Sequence, residues 1–258
     1  MQWMTLFNKE MMENWRNKKW IWVPLVLILL AILDPISNYY LPQIIEAVGG
    51  LPDGAIINLP EFAPADVVMM SLSQLSSLGV LVIVLMAMGT IASERKSGVS
   101  ELILVKPVSY RNYITAKWAA LLALVWAALF VGLLASWYYT NILYGDLSFN
   151  RFLLIFIFYG LWLTFVISIV IFYNTLVKTP GLVAFLSILT IMGMSIVTQI
   201  FGHILEWSPN NLSSYIYEMV IAGEVSSDLV ATSAITIAFS LILLIASIFT
   251  FKAKELAG

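Results

Sequence analysis

Six stretches of the chain, at about residues 20–40, 67–92, 118–144, 152–177, 181–205 and 229–251, are nearly continuous in apolar side chains, each interrupted by at most one acidic residue. Runs of ~20 uncharged residues are what a helix needs to cross a hydrocarbon layer ~30 Å thick. The pattern therefore predicts an all-α integral membrane protein with six transmembrane helices. Basic residues precede the first run, as in a signal peptide, but the run is too long and no small-residue cleavage site follows, so it is expected to remain in the mature protein. No internal repeat or composition break divides the chain, which reads as a single membrane domain over 1–258, with 1–19 before the spans and 252–258 after them.

Between the runs the periodicity changes. At 100° per residue, Met4, Phe7, Met11, Met12 and Trp15 share one arc, opposed by Lys9, Glu10, Glu13 and Arg16. This predicts an N-terminal amphipathic interfacial helix, with Trp15 at headgroup depth and Arg16 reaching toward the lipid surface. Two readings of it stand: a membrane anchor, or an elbow contacting a cytoplasmic partner. Residues 41–66 hold four prolines and three glycines and read as an irregular outer segment. In the last outer loop a Pro-Asn-Asn turn leads into the apolar stretch 215–222, too short to span, which predicts a short helix at the outer leaflet.

Composition agrees with the pattern. The chain is 61% hydrophobic and 11% charged with a mean hydropathy of +0.94, where soluble domains carry about 25% charged residues. Cysteine is absent, which removes disulfides, thiolate metal sites and thiol nucleophiles. The net charge of −2 gives no reason to expect a nucleic-acid partner. Its distribution is more informative: twelve of the thirteen basic residues, all but Arg151, lie before the first span, between the second and third, after the fourth or after the sixth. Basic residues are retained on the cytoplasmic side, so a multi-pass protein of the plasma membrane with both termini inside is expected.

Little in the chain suggests catalysis. No His-Glu-x-x-His, Gly-x-Ser-x-Gly or Gly-x-x-x-x-Gly-Lys-Ser/Thr motif occurs, so zinc hydrolysis, a serine elbow and direct nucleotide binding each lack a signature. His203 reads as a polar helix end, with proton or metal handling as the sharper alternative. Asp34 is the most membrane-embedded charge, but it lies about 21 Å along the first span, near its outer boundary, where Pro35 is expected to end or bend the helix. Asn174 and the serines at 71, 73, 76 and 77 read as helix-to-helix glue, and Ala119, Ala123 and Ala127 as a close-packing seam. No charged relay crosses the membrane, which weighs against proton-coupled transport.

The most patterned polar segment is "SERKSGVSELILVKPVSYR" at 93–111, where Val99, Leu102 and Ile103 recur at helical spacing before Lys106-Pro107 closes the segment. This predicts a short cytoplasmic helix with an apolar face, and Ser109 is a fitting N-cap for the next one. The run of Glu94, Arg95, Gly98, Glu101, Leu102, Ile103, Pro107, Val108, Ser109 and Lys117 resembles the loop after the second span of type-2 (ABC-2) ABC transporter permeases. Val99 stands where that family usually has Thr, Tyr110 separates Ser109 from Arg111, and Ala116 replaces the Gly before Lys117.

The resemblance implies a coupling helix between spans 2 and 3 that docks on a separate cytoplasmic ABC ATPase. Glu94, Arg95, Gly98, Glu101, Leu102, Ile103 and Pro107 would form the contact segment, with Arg95 and Lys96 pairing with acidic groups at the partner's rim. It also implies a non-catalytic subunit that binds no cofactor itself, ATP being hydrolysed on the partner, and a second permease, identical or homologous. Export of an unidentified substrate follows from the same resemblance. The competing reading is a secondary transporter or channel that needs no ATPase.

Overall fold

The computed structural model describes residues 2–49, 62–99 and 108–256, which contain no strand. Helix α1 covers Gln2–Arg16 and α2 covers Lys19–Ala47. The second span is composite: α3 (Pro64–Gln74), a π-helical turn (Leu75–Gly79), α4 (Val80–Ala87) and α5 (Ala92–Lys96). Then come α6 (Tyr110–Leu143), α7 (Phe149–Leu176), α8 (Pro180–Ile200), a 3₁₀ turn (Pro209–Asn211), α9 (Leu212–Ala222) and α10 (Ser227–Leu256). Six helical runs, namely α2, Pro64–Lys96, α6, α7, α8 and α10, are long and apolar enough to cross a bilayer. Each coincides with one of the six apolar stretches, and the chain is a multi-pass membrane protein.

Helix α7 forms the centre, with its middle from Trp162 to Ile171 almost wholly buried, and α6 and α10 pack along it. Contact with α6 is close enough that a Cβ on Gly160 would sit 2.7 Å from Trp126 Cη2. The other side of α6 lies on α2, where Gly132 faces the backbone of Leu27. The buried small residues of α6 include Ala116, Ala120, Ala128, Gly132 and Ser136. Ala119, Ala123 and Ala127 are only partly buried, so the close-packing seam runs one position away from the one expected.

Pro35 does not end the first span, because α2 continues to Ala47. A proline has no N–H for the carbonyl four residues back, here that of Ala31. Ser71 replaces the missing donor: its hydroxyl donates to Ala31 O at 2.7 Å and sits 2.8 Å from Ser136 Oγ. With that carbonyl satisfied, the helix crosses the proline without an unpaired polar group in a medium that cannot hydrate one. Asp34, one residue earlier, accepts from Gln74 Nε2 at 3.3 Å.

The expected short helix before the sixth span is α9, beginning three residues earlier than its apolar stretch. Leu212, Ile216, Met219 and Val220 are buried against the bundle, and the Tyr217 hydroxyl donates to Asp66 Oδ1 at 2.8 Å.

Candidate functional site

The described ends of the polar segment at 93–111 lie where Lys9, Glu10, Glu94 and Lys117 are bonded together. Between α4 and α5 the second span breaks at residues 88–91, and the break frees backbone groups inside the protein. Asn174, fully buried on α7, takes them up. Its Oδ1 accepts the N–H groups of Ile91 and Ala92, each at 3.0 Å, and its Nδ2 donates to Ala87 O at 3.2 Å and Val170 O at 3.0 Å. All four bonding positions of the amide are used. It is the one amide of α7 beyond the first turn, a signal that marks it as polar but not as the clasp of a broken helix.

Beyond the break, α5 presents Glu94 and Arg95 to different sets of partners. Arg95 is only 5% exposed, and its Nη1 donates to Thr175 O at 2.7 Å. Its guanidinium carbon lies 5.7 Å from the centroid of the Phe251 ring, which stacks on Tyr113. Lys254 Nζ donates to the adjacent Leu176 O at 2.7 Å. Two cations thus cap the last turn of α7, where helix carbonyls lack partners and the dipole favours positive charge. Arg95 therefore does not stand at an exposed rim as the resemblance suggested; it is occupied inside the chain.

Glu94 faces a cluster of charge. Its Oε1 accepts from Lys9 Nζ at 2.6 Å and lies 3.0 Å from Lys117 Nζ, and its Oε2 accepts the Tyr113 hydroxyl. Lys117, with 2% of its side chain exposed, also donates to Glu10 Oε1 at 2.8 Å. Lys9 completes the node at 3.0 Å from Glu10 and 3.2 Å from Glu13. Burial works against the charge on Lys9, but Glu10 and Glu94 outweigh it and hold the ammonium above the ordinary lysine range. Oxygens of Glu10, Glu13 and Glu94 lie within 4.8 Å of one another, yet Lys9 and Lys117 already stand among them as counter-charges, which makes this an ion-pair site.

The node explains the attitude of α1. Glu10 of the polar arc and the nearby Asn14 are turned inward, only 6% and 5% exposed. Met4, Met12 and Trp15 point away from the protein, and Arg16 is exposed beside them. Phe7 and Met11 are half-buried; Phe7 stacks on Trp3, whose Nε1 donates to Thr115 Oγ1 of α6 at 3.0 Å. Helix α1 is thereby strapped along the start of α6.

Of the expected contact segment, Glu94 and Arg95 are bonded into the bundle. Gly98 follows α5 with φ +75°, a left-handed conformation that favours glycine. Glu101, Leu102, Ile103 and Pro107 lie outside the described residues. Where the chain re-enters, Ser109 caps α6 as expected, its Oγ accepting Asn112 N–H at 3.2 Å. Both ends of the loop thus meet at one node: Glu94 from its beginning, Tyr113 and Lys117 from its end, and Lys9 and Glu10 from α1.

The family model for the ABC-2 family transporter proteins matches residues 4–256 of the chain. The chain is also similar to the uncharacterized transmembrane protein YxlG of Bacillus subtilis (strain 168), with 28% identity over 252 residues and 98% of each chain covered.

Proposed function

The chain belongs to the ABC-2 family of transporter proteins, and on that footing we propose that it is the permease subunit of an ATP-driven exporter. In this reading ATP is bound and hydrolysed on a separate cytoplasmic ABC ATPase, a second permease completes the pathway, and the end rich in basic residues faces the cytoplasm. The observation that carries it is the node at the root of the 93–111 segment, where Glu94 joins α1, α5 and α6. A loop meant only to fix topology needs basic residues near the span ends; it does not need a largely covered carboxylate tied to two other helices. Closure of the ATPases would move the loop, and the node would pass that movement to the first and third spans, shifting the population between inward- and outward-open pairs.

Co-expression with an ABC ATPase encoded beside it, followed by purification and reconstitution, tests the reading. A stable complex is expected, whose hydrolysis rate falls at least tenfold in Leu102→Asp and clearly in Glu101→Ala. Solute transport by the chain with no ATPase present would refute it.

A further inference from the structure

Away from the charged node, a cleft of about 590 Å³ opens between the second span, α7, α8 and the start of α9. That is within the range of small-molecule sites, roughly 300–1,000 Å³. Its walls are unusual for a membrane bundle. Ser73, Ser76 and Ser77 come from the α3 end and the π-helical turn, and Ser195 and Gln199 from α8. Hydroxyl and amide groups face it from both sides, and among the described residues no Asp, Glu, Lys or Arg lines it. Met69, Ile191 and Met192 supply an apolar wall.

Trp162 stands at the back of the cleft on α7, 5% exposed, and its indole N–H meets no acceptor among the described residues. A buried tryptophan normally bonds that hydrogen, and one left unpaired is destabilising. Trp118 and Trp126 show the ordinary case, donating to Ser168 Oγ and Thr164 Oγ1, each at 3.0 Å. Beside Trp162, Ser76 is held by the Tyr159 hydroxyl at 3.0 Å, which fixes the wall at the π-helical turn. Such turns recur at functional sites because they interrupt the regular helix.

We propose that this cleft binds an uncharged amphiphile, one whose hydroxyl or carbonyl oxygen accepts the Trp162 N–H while its other polar groups meet the serines and Gln199. A carboxylate or ammonium there would find no counter-charge among the described residues and would be disfavoured in a low-dielectric site. As the site of a transported molecule the cleft rests on the permease reading; as a binding site it does not.

The test uses the full-length chain alone in proteoliposomes, so that it does not depend on any ATPase. Three photoreactive diazirine amphiphiles of one chain length are titrated, with a glucoside, a carboxylate or a trimethylammonium head, and crosslinked peptides are mapped by mass spectrometry. The glucoside is expected to label the cleft walls saturably, and Trp162→Phe and Gln199→Leu each to raise its half-saturating concentration about fivefold, the loss of one neutral hydrogen bond. Should Trp162→Phe fail to give monodisperse protein, Gln199→Leu and Ser73→Ala carry the measurement. Labelling without saturation, equal saturation by a charged probe, or indifference to the substitutions overturns the proposal. A complex with an ATPase would survive that failure, and saturable binding would survive the absence of such a complex.

Discussion

Replacing Lys117 by Met removes one ammonium and keeps most of the side chain's length and volume. What remains is Glu10 and Glu94 facing each other across the vacated position, with Lys9 as their cation. Breaking a buried ion pair by deleting one partner costs about 3–5 kcal/mol. Here the figure should be lower, because Lys9 stays 2.6 Å from Glu94 and 3.0 Å from Glu10 and its side chain is 39% exposed, so water screens part of the imbalance. A loss of about 2–3 kcal/mol is expected, or roughly 4–12 °C in thermal midpoint by the scaling for domains of 150–250 residues. The assay is thermal unfolding of the purified protein in one detergent, for Lys117→Met, Glu10→Gln and the double variant. Because Lys117 and Glu10 touch at 2.8 Å, the double variant should lose less than the sum of the two by about 1 kcal/mol or more. Additive losses, agreeing to within about 0.5 kcal/mol, would mean that the two groups do not stabilise each other and that α1 is not held by this pair.

Two further substitutions probe the helix repairs. Asn174→Leu leaves the buried N–H groups of Ile91 and Ala92 without an acceptor, and at about 1–3 kcal/mol for each stranded group it should sharply accelerate amide hydrogen exchange at 91–92; unchanged protection there would contradict the bonding described. Ser71→Ala uncaps the Ala31 carbonyl below Pro35 and should cost about 0.6–1.7 kcal/mol, the span measured for hydrogen bonds inside membranes, with Ser71→Thr recovering it in the same unfolding measurement.

The spans were legible because lipid imposes one demand on every helix that crosses it, and a run of apolar residues answers it locally. The Ser109 cap and the short helix α9 were legible for a similar reason, since each is set by neighbours a few residues away. The node was not. Lys117 and Glu10 are 107 positions apart, and nothing in either neighbourhood says that the polar side of α1 turns inward. Periodicity gave α1 two faces without saying which one meets protein, since a membrane-surface helix has a suitable environment for both. Pro35 shows the same limit: locally a proline ends or bends a helix, and the hydroxyl that takes up the freed Ala31 carbonyl comes from Ser71, 40 positions from Ala31. The resemblance put Arg95 at the rim of a partner, whereas Thr175 and Phe251, which it meets inside the chain, lie on α7 and α10, far from it in sequence.

The closed charge balance of Lys9, Glu10, Glu94 and Lys117 also bears on how such a chain can change over generations. Neutralising Glu94 or Lys117 alone strands an opposite charge away from water, so lineages that lose one member first pass through a less stable ancestor. Replacement of the whole set by apolar side chains avoids that penalty, but it requires several coordinated substitutions on three helices. A single substitution among these positions is therefore expected to be tolerated less well than a coordinated replacement of the set.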